Sequence, residues 1–99
     1  MHSGPEQNRH SFNSDVSTYD LWDTYLPAFR TLVVDAKVSG VMCAYNAFQG
    51  QPCCGNDLLM QSILRDKWNF KGYVTSDCGA IDDIFNHHKT HPDAATAAA

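Results

Sequence analysis

The sequence predicts an α/β protein organised around a parallel strand–helix–strand unit. Two short apolar runs of strand length, 41–45 and 73–76, are separated by a segment with helical periodicity. Parallel strands need a crossover connection, commonly a helix. Such a sheet is covered on both faces, and two strands cannot complete one. We therefore expect the 99 residues to be a piece of a larger α/β domain.

The first half begins with a loop and continues into an amphipathic helix. Residues 1–16 are polar and contain turn-forming residues. Ser17-x-x-Asp20 is typical of a helix cap, and apolar residues then recur every three to four positions up to about Lys37. Pro27 is expected to kink this helix or split it into two.

The second half repeats strand and helix. The run 41–45 predicts a strand buried on both faces, and 46–55 predicts a loop. Asn56 is suited to cap the next helix. The apolar stripe of that helix consists of Leu59, Met60, Ile63, Leu64 and Trp68.

A second short strand, 73–76, is followed by apolar residues within 81–85 that predict one or two helical turns. Thr90-x-x-Asp93, with Pro92 between, is typical of a capping box, and alanines follow it. We expect the helix that begins there to continue past the last residue of the chain.

Composition excludes two classes of partner. The net charge is −4 with only seven Lys and Arg, so no basic patch for nucleic acid is expected. No apolar run approaches the roughly eighteen residues that span a bilayer. Residues 1–6 lack the features of a signal peptide, so either the chain is cytoplasmic or its true beginning lies upstream.

The four cysteines match neither a zinc-ligand spacing nor a small disulfide framework. Cys43 and Cys78 lie at or just after apolar runs, where a free cysteine usually behaves as a small buried hydrophobe. We expect structural thiols. The alternative is a disulfide from Cys53 or Cys54 to one of the others.

Two clusters of polar residues need separate weighing. His87, His88 and His91 have spacings that could bring two imidazoles together on a metal ion. The segment looks like a loop without thiol or acidic ligands at obvious spacing, so we expect no metal. Asp82 and Asp83 are neighbours in sequence and are expected to form a solvated helix start rather than a catalytic pair.

Functional side chains in parallel α/β folds collect at the carboxyl ends of the strands, because the loops there surround a common mouth. The first strand offers Met42 and Tyr45 at this end. The second strand offers Ser76 and Asp77.

Several linked segments resemble the second half of the catalytic barrel of family 3 glycoside hydrolases. These are VMCAYN at 41–46 and ILRDKWNFKGYVTSD at 63–77. Upstream, HSGPE at 2–6 with the following Arg-His pair, and DLWDTYLPAF at 20–29, resemble the β-xylosidase and β-glucosidase branch. The resemblance implies that residues 1–99 are a partial (β/α)₈ TIM barrel with about two parallel strands, incomplete at both ends.

Carried onto this sequence, the resemblance implies that Asp77 is the nucleophile of a retaining mechanism. It also implies that Arg9, Met42 and Tyr45 bind the terminal sugar. The acid that protonates the leaving oxygen is a glutamate of a separate, later domain in this family. Cys78, where many β-glucosidases of the family have tryptophan, favours xylosides over glucosides.

The implied function is exo-acting hydrolysis of terminal β-xylose or β-glucose from oligosaccharides, without metal or cofactor. The isolated chain is expected to be inactive, and the parent enzyme to be secreted or periplasmic. The rival interpretation is a small independent module that binds a metal or a carbohydrate through the histidines or the aromatic residues.

Overall fold

The computed structural model describes residues 6–99, so the His2 to Pro5 part of the upstream motif lies outside the described residues. The strands are β1 (Asn13–Ser14), β2 (Gly40–Cys43), β3 (Ala47–Phe48), β4 (Gln51–Pro52) and β5 (Tyr73–Ser76). The helices are α1 (residues 18–35), α2 (Leu58–Lys67), α3 (Ala80–Asn86) and α4 (Ala94–Ala98), with 3₁₀ turns at Glu6–Asn8 and Cys53–Gly55. The order of main helices and strands agrees with the sequence prediction.

Strands β2 and β5 form the predicted parallel pair. Gly40 lies opposite Tyr73 and Cys43 opposite Ser76, with α2 in the connection between the strands. Strand β2 ends two residues earlier than predicted. The chain turns after Cys43, which brings Ala47 into a second sheet.

The prediction that the first strand is buried on both faces is wrong for the described residues. Met42 is 57% exposed, and on the partner strand Tyr73 is 65% and Val74 37% exposed. Within residues 6–99 each of β2 and β5 pairs with one neighbour only. These strands therefore carry apolar side chains that the described residues leave exposed.

Helix α1 begins where the sequence predicts, because the Ser17 hydroxyl accepts a hydrogen bond from the backbone N–H of Asp20 at 3.0 Å. Pro27 does not split it. The N–H of Leu26 donates to the carbonyl of Leu21, five residues earlier, so a wide π-type turn precedes the proline. Such a turn accommodates a residue that has no N–H and whose ring crowds the preceding turn.

Helices α1 and α2 pack through their apolar faces and form most of the core. One buried cluster contains Leu21, Leu26, Phe48, Cys53, Leu59 and Ile63. A second, adjoining the turn before β5, contains Val33, Leu64 and Phe70. The predicted stripe of α2 contributes to both clusters, which confirms its amphipathic character.

The predicted loops contain a small second sheet. Strand β3 pairs in parallel with β1 and antiparallel with β4. The buried amide of Asn46 donates to the Ser14 hydroxyl at 3.3 Å and to the Ala47 carbonyl at 2.9 Å, which ties the two predicted loops together. Strands of two residues are too short to show an apolar period, so no sequence pattern predicts them.

Asn56 joins this sheet to α2. Its side-chain oxygen accepts from the N–H of Leu59 at 3.1 Å, which confirms the predicted cap. Its amide nitrogen donates to the carbonyl of Phe48 at 2.9 Å. One buried side chain thus fixes both the start of the helix and the end of strand β3.

The cysteine prediction is wrong at two positions. Cys43 forms a disulfide with Cys54, so the alternative weighed for Cys54 holds. The antiparallel turn of β3 and β4 brings the two Cα atoms within 5.1 Å, a distance that suits a disulfide. Cys53 is a buried free thiol whose pKa is raised by burial, and Cys78 is free but exposed rather than buried.

The C-terminal cap also differs from the prediction. Asp93, not Thr90, caps α4, because its carboxylate accepts from the N–H of Thr96 at 2.8 Å. This bond, together with the Thr96 hydroxyl, lowers the pKa of Asp93. Pro92 therefore precedes the cap. None of the helices in the described part of the chain has the length and apolar character needed to cross a bilayer.

We predict that Gly72→Ala destabilises the protein, because a Cβ atom there would collide with the carbonyl oxygen of Ser39 and the ring of Phe70. The free energy of unfolding in denaturant should fall by about 1–3 kcal/mol, as for other overpacked sites. Gly55→Ala is the matched control, since no atom lies within 4 Å of its added Cβ, and it should stay within about 0.5 kcal/mol of wild type. Equal stability of the two variants would contradict the close approach at Gly72.

We also predict that alkylation under denaturing, non-reducing conditions modifies Cys53 and Cys78 but neither Cys43 nor Cys54. Peptide mass spectrometry should find the latter two in one linked pair, which separates on reduction. Reduction should lower the stability of the protein by about 2–4 kcal/mol. Detection of alkylated Cys54 without prior reduction would show that the disulfide is absent.

Candidate active site

Three of the four residues predicted to form the site lie together at the carboxyl ends of β2 and β5. They surround an open cleft of about 350 Å³. The cleft is lined by Glu6, Arg9, Ala44, Tyr45, Asn46 and Asp77. Its location agrees with the rule that parallel strands present functional groups where they end.

Asp77 is the first residue after β5, and its backbone is held on both sides. Its N–H donates to the carbonyl of Cys43 at 3.2 Å, which extends the ladder between the two strands by one residue. One carboxylate oxygen accepts from the N–H of Cys78 at 2.8 Å. Gly79 then adopts a φ of 82°, a left-handed conformation that turns the chain into α3. The carboxylate is thus half-buried and fixed in direction.

Tyr45 faces Asp77 from the loop that follows β2. Burial, followed by a hydrogen bond to the carboxylate of Asp77, raises the pKa of the Tyr45 phenol above its ordinary value of 10.0. The phenol therefore keeps its proton at neutral pH and can donate it to the carboxylate. Tyr45 and Asp77 line the same cleft, so a donor placed in this way restrains the direction of the carboxylate.

Arg9 closes the cleft on the N-terminal side. Its guanidinium forms an ion pair with Glu6 at 2.7 Å, and the hydrogen bond and charge of Glu6 raise the pKa of Arg9. The same guanidinium lies 5.7 Å from the centre of the Tyr45 ring. Arg9 thus forms an ion pair and also lines the cleft that contains Asp77.

Met42 does not line this cleft. It borders a separate cavity of about 100 Å³ between β2 and the two long helices, together with Tyr25, Phe29 and Met60. The proposed sugar contact of Met42 stays a prediction.

A second layer of polar groups, which the sequence analysis missed, lies behind the cleft. Asp83 is only 3% exposed and bridges two imidazoles, with His10 Nδ1 at 2.7 Å and His87 Nδ1 at 2.6 Å. The expectation of a solvated pair therefore holds for the exposed Asp82 but is wrong for Asp83. The reason is tertiary: helix α3 turns Asp83 toward His10, which is 73 residues away in sequence.

The polar atoms of His10, Asp83 and His87 lie within 4.8 Å of one another, a spacing that could hold a metal ion. The two contacts to Asp83 are, however, direct hydrogen-bond distances. Because a carboxylate only accepts, each imidazole donates its Nδ1–H, and the carboxylate is satisfied without a cation. Of the other histidines considered as ligands, His88 contacts the carbonyl of Tyr45 at 2.8 Å and His91 contacts Thr90.

His10 connects the second layer to the cleft. Its ring centre is 4.2 Å from that of Tyr45, and its Nε2 accepts from Arg9 Nε at 3.3 Å. The Arg-His pair at 9–10 is part of the upstream motif, but the family resemblance implies a role only for the arginine. No spacing rule could have linked the histidine to Asp83.

Comparison with known proteins shows that the chain is similar to glycoside hydrolases. The model of the glycosyl hydrolase family 3 N-terminal domain matches residues 2–99. A xylan 1,4-β-xylosidase of Xylanibacter ruminicola is 56% identical over 95 residues, which cover 95% of this chain and 11% of that protein.

Solved structures agree in fold. An exo-β-xylosidase of family 3, in complex with a xylobiose aziridine activity-based probe, has a TM-score of 0.86 and 36% identity over 91% of this chain. A family 3 β-glucosidase of Bifidobacterium adolescentis has a TM-score of 0.74 and 30% identity over 92% of this chain. The chain spans 12% of the length of each of these two proteins.

The family model covers all the segments that carried the resemblance, including residues 2–5. The parallel strands with their helices match the N-terminal barrel domain of the structural neighbours. The predicted partial barrel is therefore confirmed as the fold class. This chain belongs to glycosyl hydrolase family 3.

Proposed function

We propose that this chain is a segment of the N-terminal catalytic barrel of a retaining, exo-acting β-glycosidase, with Asp77 as its nucleophile. The observation that carries the proposal is the cleft at the carboxyl ends of β2 and β5, where Asp77 lies beside Tyr45 and Arg9. The names of the relatives, β-xylosidases and a β-glucosidase, support the reaction class.

In the first step an oxygen of Asp77 bonds to the anomeric carbon of the terminal sugar. The bond from that carbon to the leaving oxygen breaks, and a second carboxylic acid about 5 Å away protonates this oxygen. The result is a glycosyl ester on Asp77 and a free alcohol. We assign the acid to a glutamate of a later domain of the parent protein, as the family resemblance implies. The other cleft carboxylate, Glu6, is engaged by Arg9 at 2.7 Å.

In the second step water attacks the anomeric carbon and the ester bond to Asp77 breaks. The same glutamate, now a base, takes the proton of the water. Asp77 returns to a carboxylate and the sugar leaves with its original β configuration. Carboxylates and water suffice for these two reaction steps, so we expect no metal or organic cofactor.

The neighbours of Asp77 have chemically suitable roles. Tyr45 lines the cleft beside Asp77, where its hydroxyl is suited to donate to the carboxylate. Arg9 offers a permanently charged, planar set of donors for sugar hydroxyls, partly engaged by Glu6. Met42 is proposed to contact the terminal sugar from the exposed face of β2.

We propose a terminal β-xylosyl residue of a xylo-oligosaccharide as the substrate, with β-glucosides as the second choice. The 56% identity to a xylan 1,4-β-xylosidase supports this order. The family resemblance implies the same order, because Cys78 stands where many β-glucosidases of the family have tryptophan.

We predict that Asp77→Ala in the full-length protein abolishes turnover of nitrophenyl β-xyloside, with kcat reduced roughly 10³-fold or more. Azide should partly restore the reaction of this variant and yield a glycosyl azide of inverted, α configuration. A 2-fluoroxyloside with a good leaving group should label wild-type protein on the peptide containing Asp77, as detected by mass spectrometry.

Asp82→Asn is the control for this experiment, because Asp82 is exposed and, among the described residues, its carboxylate accepts only from Asn86 in its own helix. It should keep wild-type turnover and labelling. Label on any other side chain, or full activity of Asp77→Ala, would refute the assignment of the nucleophile.

We further predict that the isolated 99-residue chain is inactive. It lacks an assignable acid, and the exposed strand faces of β2 and β5 leave the cleft open to water. Incubation with nitrophenyl xyloside and nitrophenyl glucoside should release nitrophenol at the rate of the Asp77→Ala chain. Turnover that depends on Asp77 would show instead that these residues form a complete site.

A further inference from the structure

Resting on the proposed function, we infer that the buried carboxylate of Asp83 is a positioning group, which orients His10 and through it the cleft residue Tyr45. Asp83 lies outside the cleft and touches none of the groups proposed to meet the sugar. Its two partners are the imidazoles of His10 and His87.

The hydrogen bonds assign the tautomer of His10. The carboxylate of Asp83 accepts, so Nδ1 of His10 carries the proton and donates. Nε2 of the same ring then has a free lone pair, and this is the atom that accepts from Arg9 Nε. The neutral Nδ1–H form is the one that satisfies both contacts at once.

His10 in this orientation holds Tyr45. The two rings lie 4.2 Å apart between centres, inclined by 41°. The backbone carbonyl of Tyr45 accepts from His88 Nε2 at 2.8 Å, and His88 is the second residue after α3. Tyr45 is thus held at its ring and at its backbone by histidines that depend on the position of α3.

The same helix begins three residues after Asp77. Asp77 is thus linked through α3 to Asp83, Asp83 to His10, and His10 to Tyr45, which lines the same cleft as Asp77. A swing of His10 out of this position would leave the buried carboxylate of Asp83 with one donor instead of two, which is costly for a charged group. The burial of Asp83 therefore resists movement of the Tyr45 hydroxyl away from the nucleophile.

The test is a double-mutant cycle in the full-length protein with nitrophenyl β-xyloside. Asp83→Asn and His10→Phe should each lower kcat/KM about tenfold, a typical effect of a misplaced catalytic contact. His10→Phe keeps a ring beside Tyr45 but loses both hydrogen bonds. Asp82→Asn, one residue away on α3, should remain at the wild-type value.

The decisive comparison is made in the Tyr45→Phe background, where the hydroxyl that is being positioned has been removed. Asp83→Asn should then cause a further loss of less than about threefold, because the two changes act through the same contact. A merely structural role predicts that the full tenfold loss is repeated. Thermal unfolding measures the fraction of each variant that is folded, and labelling with the 2-fluoroxyloside counts the active sites. Each kcat/KM is then corrected for the fraction of protein that is folded and active.

Two outcomes would overturn the inference: an unchanged kcat/KM for Asp83→Asn, or an equal loss with and without the Tyr45 hydroxyl. Either result, with wild-type protein still labelled at Asp77, leaves the proposed function intact. Activity that survives Asp77→Ala would instead refute the proposed function itself.

Discussion

The parallel pairing of β2 with β5 is the interaction on which the rest of the structure depends. Its register places Cys43 opposite Ser76, and the next bond in the ladder, from Asp77 N–H to the carbonyl of Cys43, fixes the backbone of Asp77. A slip of one residue would turn the carboxylate to the other face of the sheet, because side chains alternate along a strand. Tyr45, two residues beyond Cys43, meets Asp77 only in this register.

Three structural constraints meet at Cys43 and hold the end of β2 in place. Cys43 ends the strand, accepts the bond from Asp77 and is joined by a disulfide to Cys54. The disulfide closes a loop that is also held by the short strands β3 and β4 and by the buried amide of Asn46. A loop with so many attachments gives Tyr45, which lies inside it, little freedom to move.

The polar groups are arranged in two layers of different exposure. In the outer layer, Arg9 and Asp77 reach an open cleft, where solvent weakens their mutual attraction. In the inner layer, Asp83 is buried and its hydrogen bonds to imidazole are correspondingly costly to break. Rigidity is thus supplied from behind the cleft, while the groups proposed to react with the sugar stay accessible.

The sequence by itself determined the alternation of strands and helices, the caps at Ser17 and Asn56 and the location of Asp77 at a strand end, because these follow from local periodicity and local hydrogen bonds. Motif resemblance placed Arg9 and Tyr45 in the same predicted site, and both line the cleft that contains Asp77. The tertiary structure alone decided the pairing of Cys43 with Cys54, the two-residue strands and the burial of Asp83 against His10. His10 and Asp83 are 73 residues apart, and even the cysteines, 11 residues apart, meet only through the turn of β3 and β4. The free energy of these contacts depends on burial and direction, neither of which a linear pattern contains.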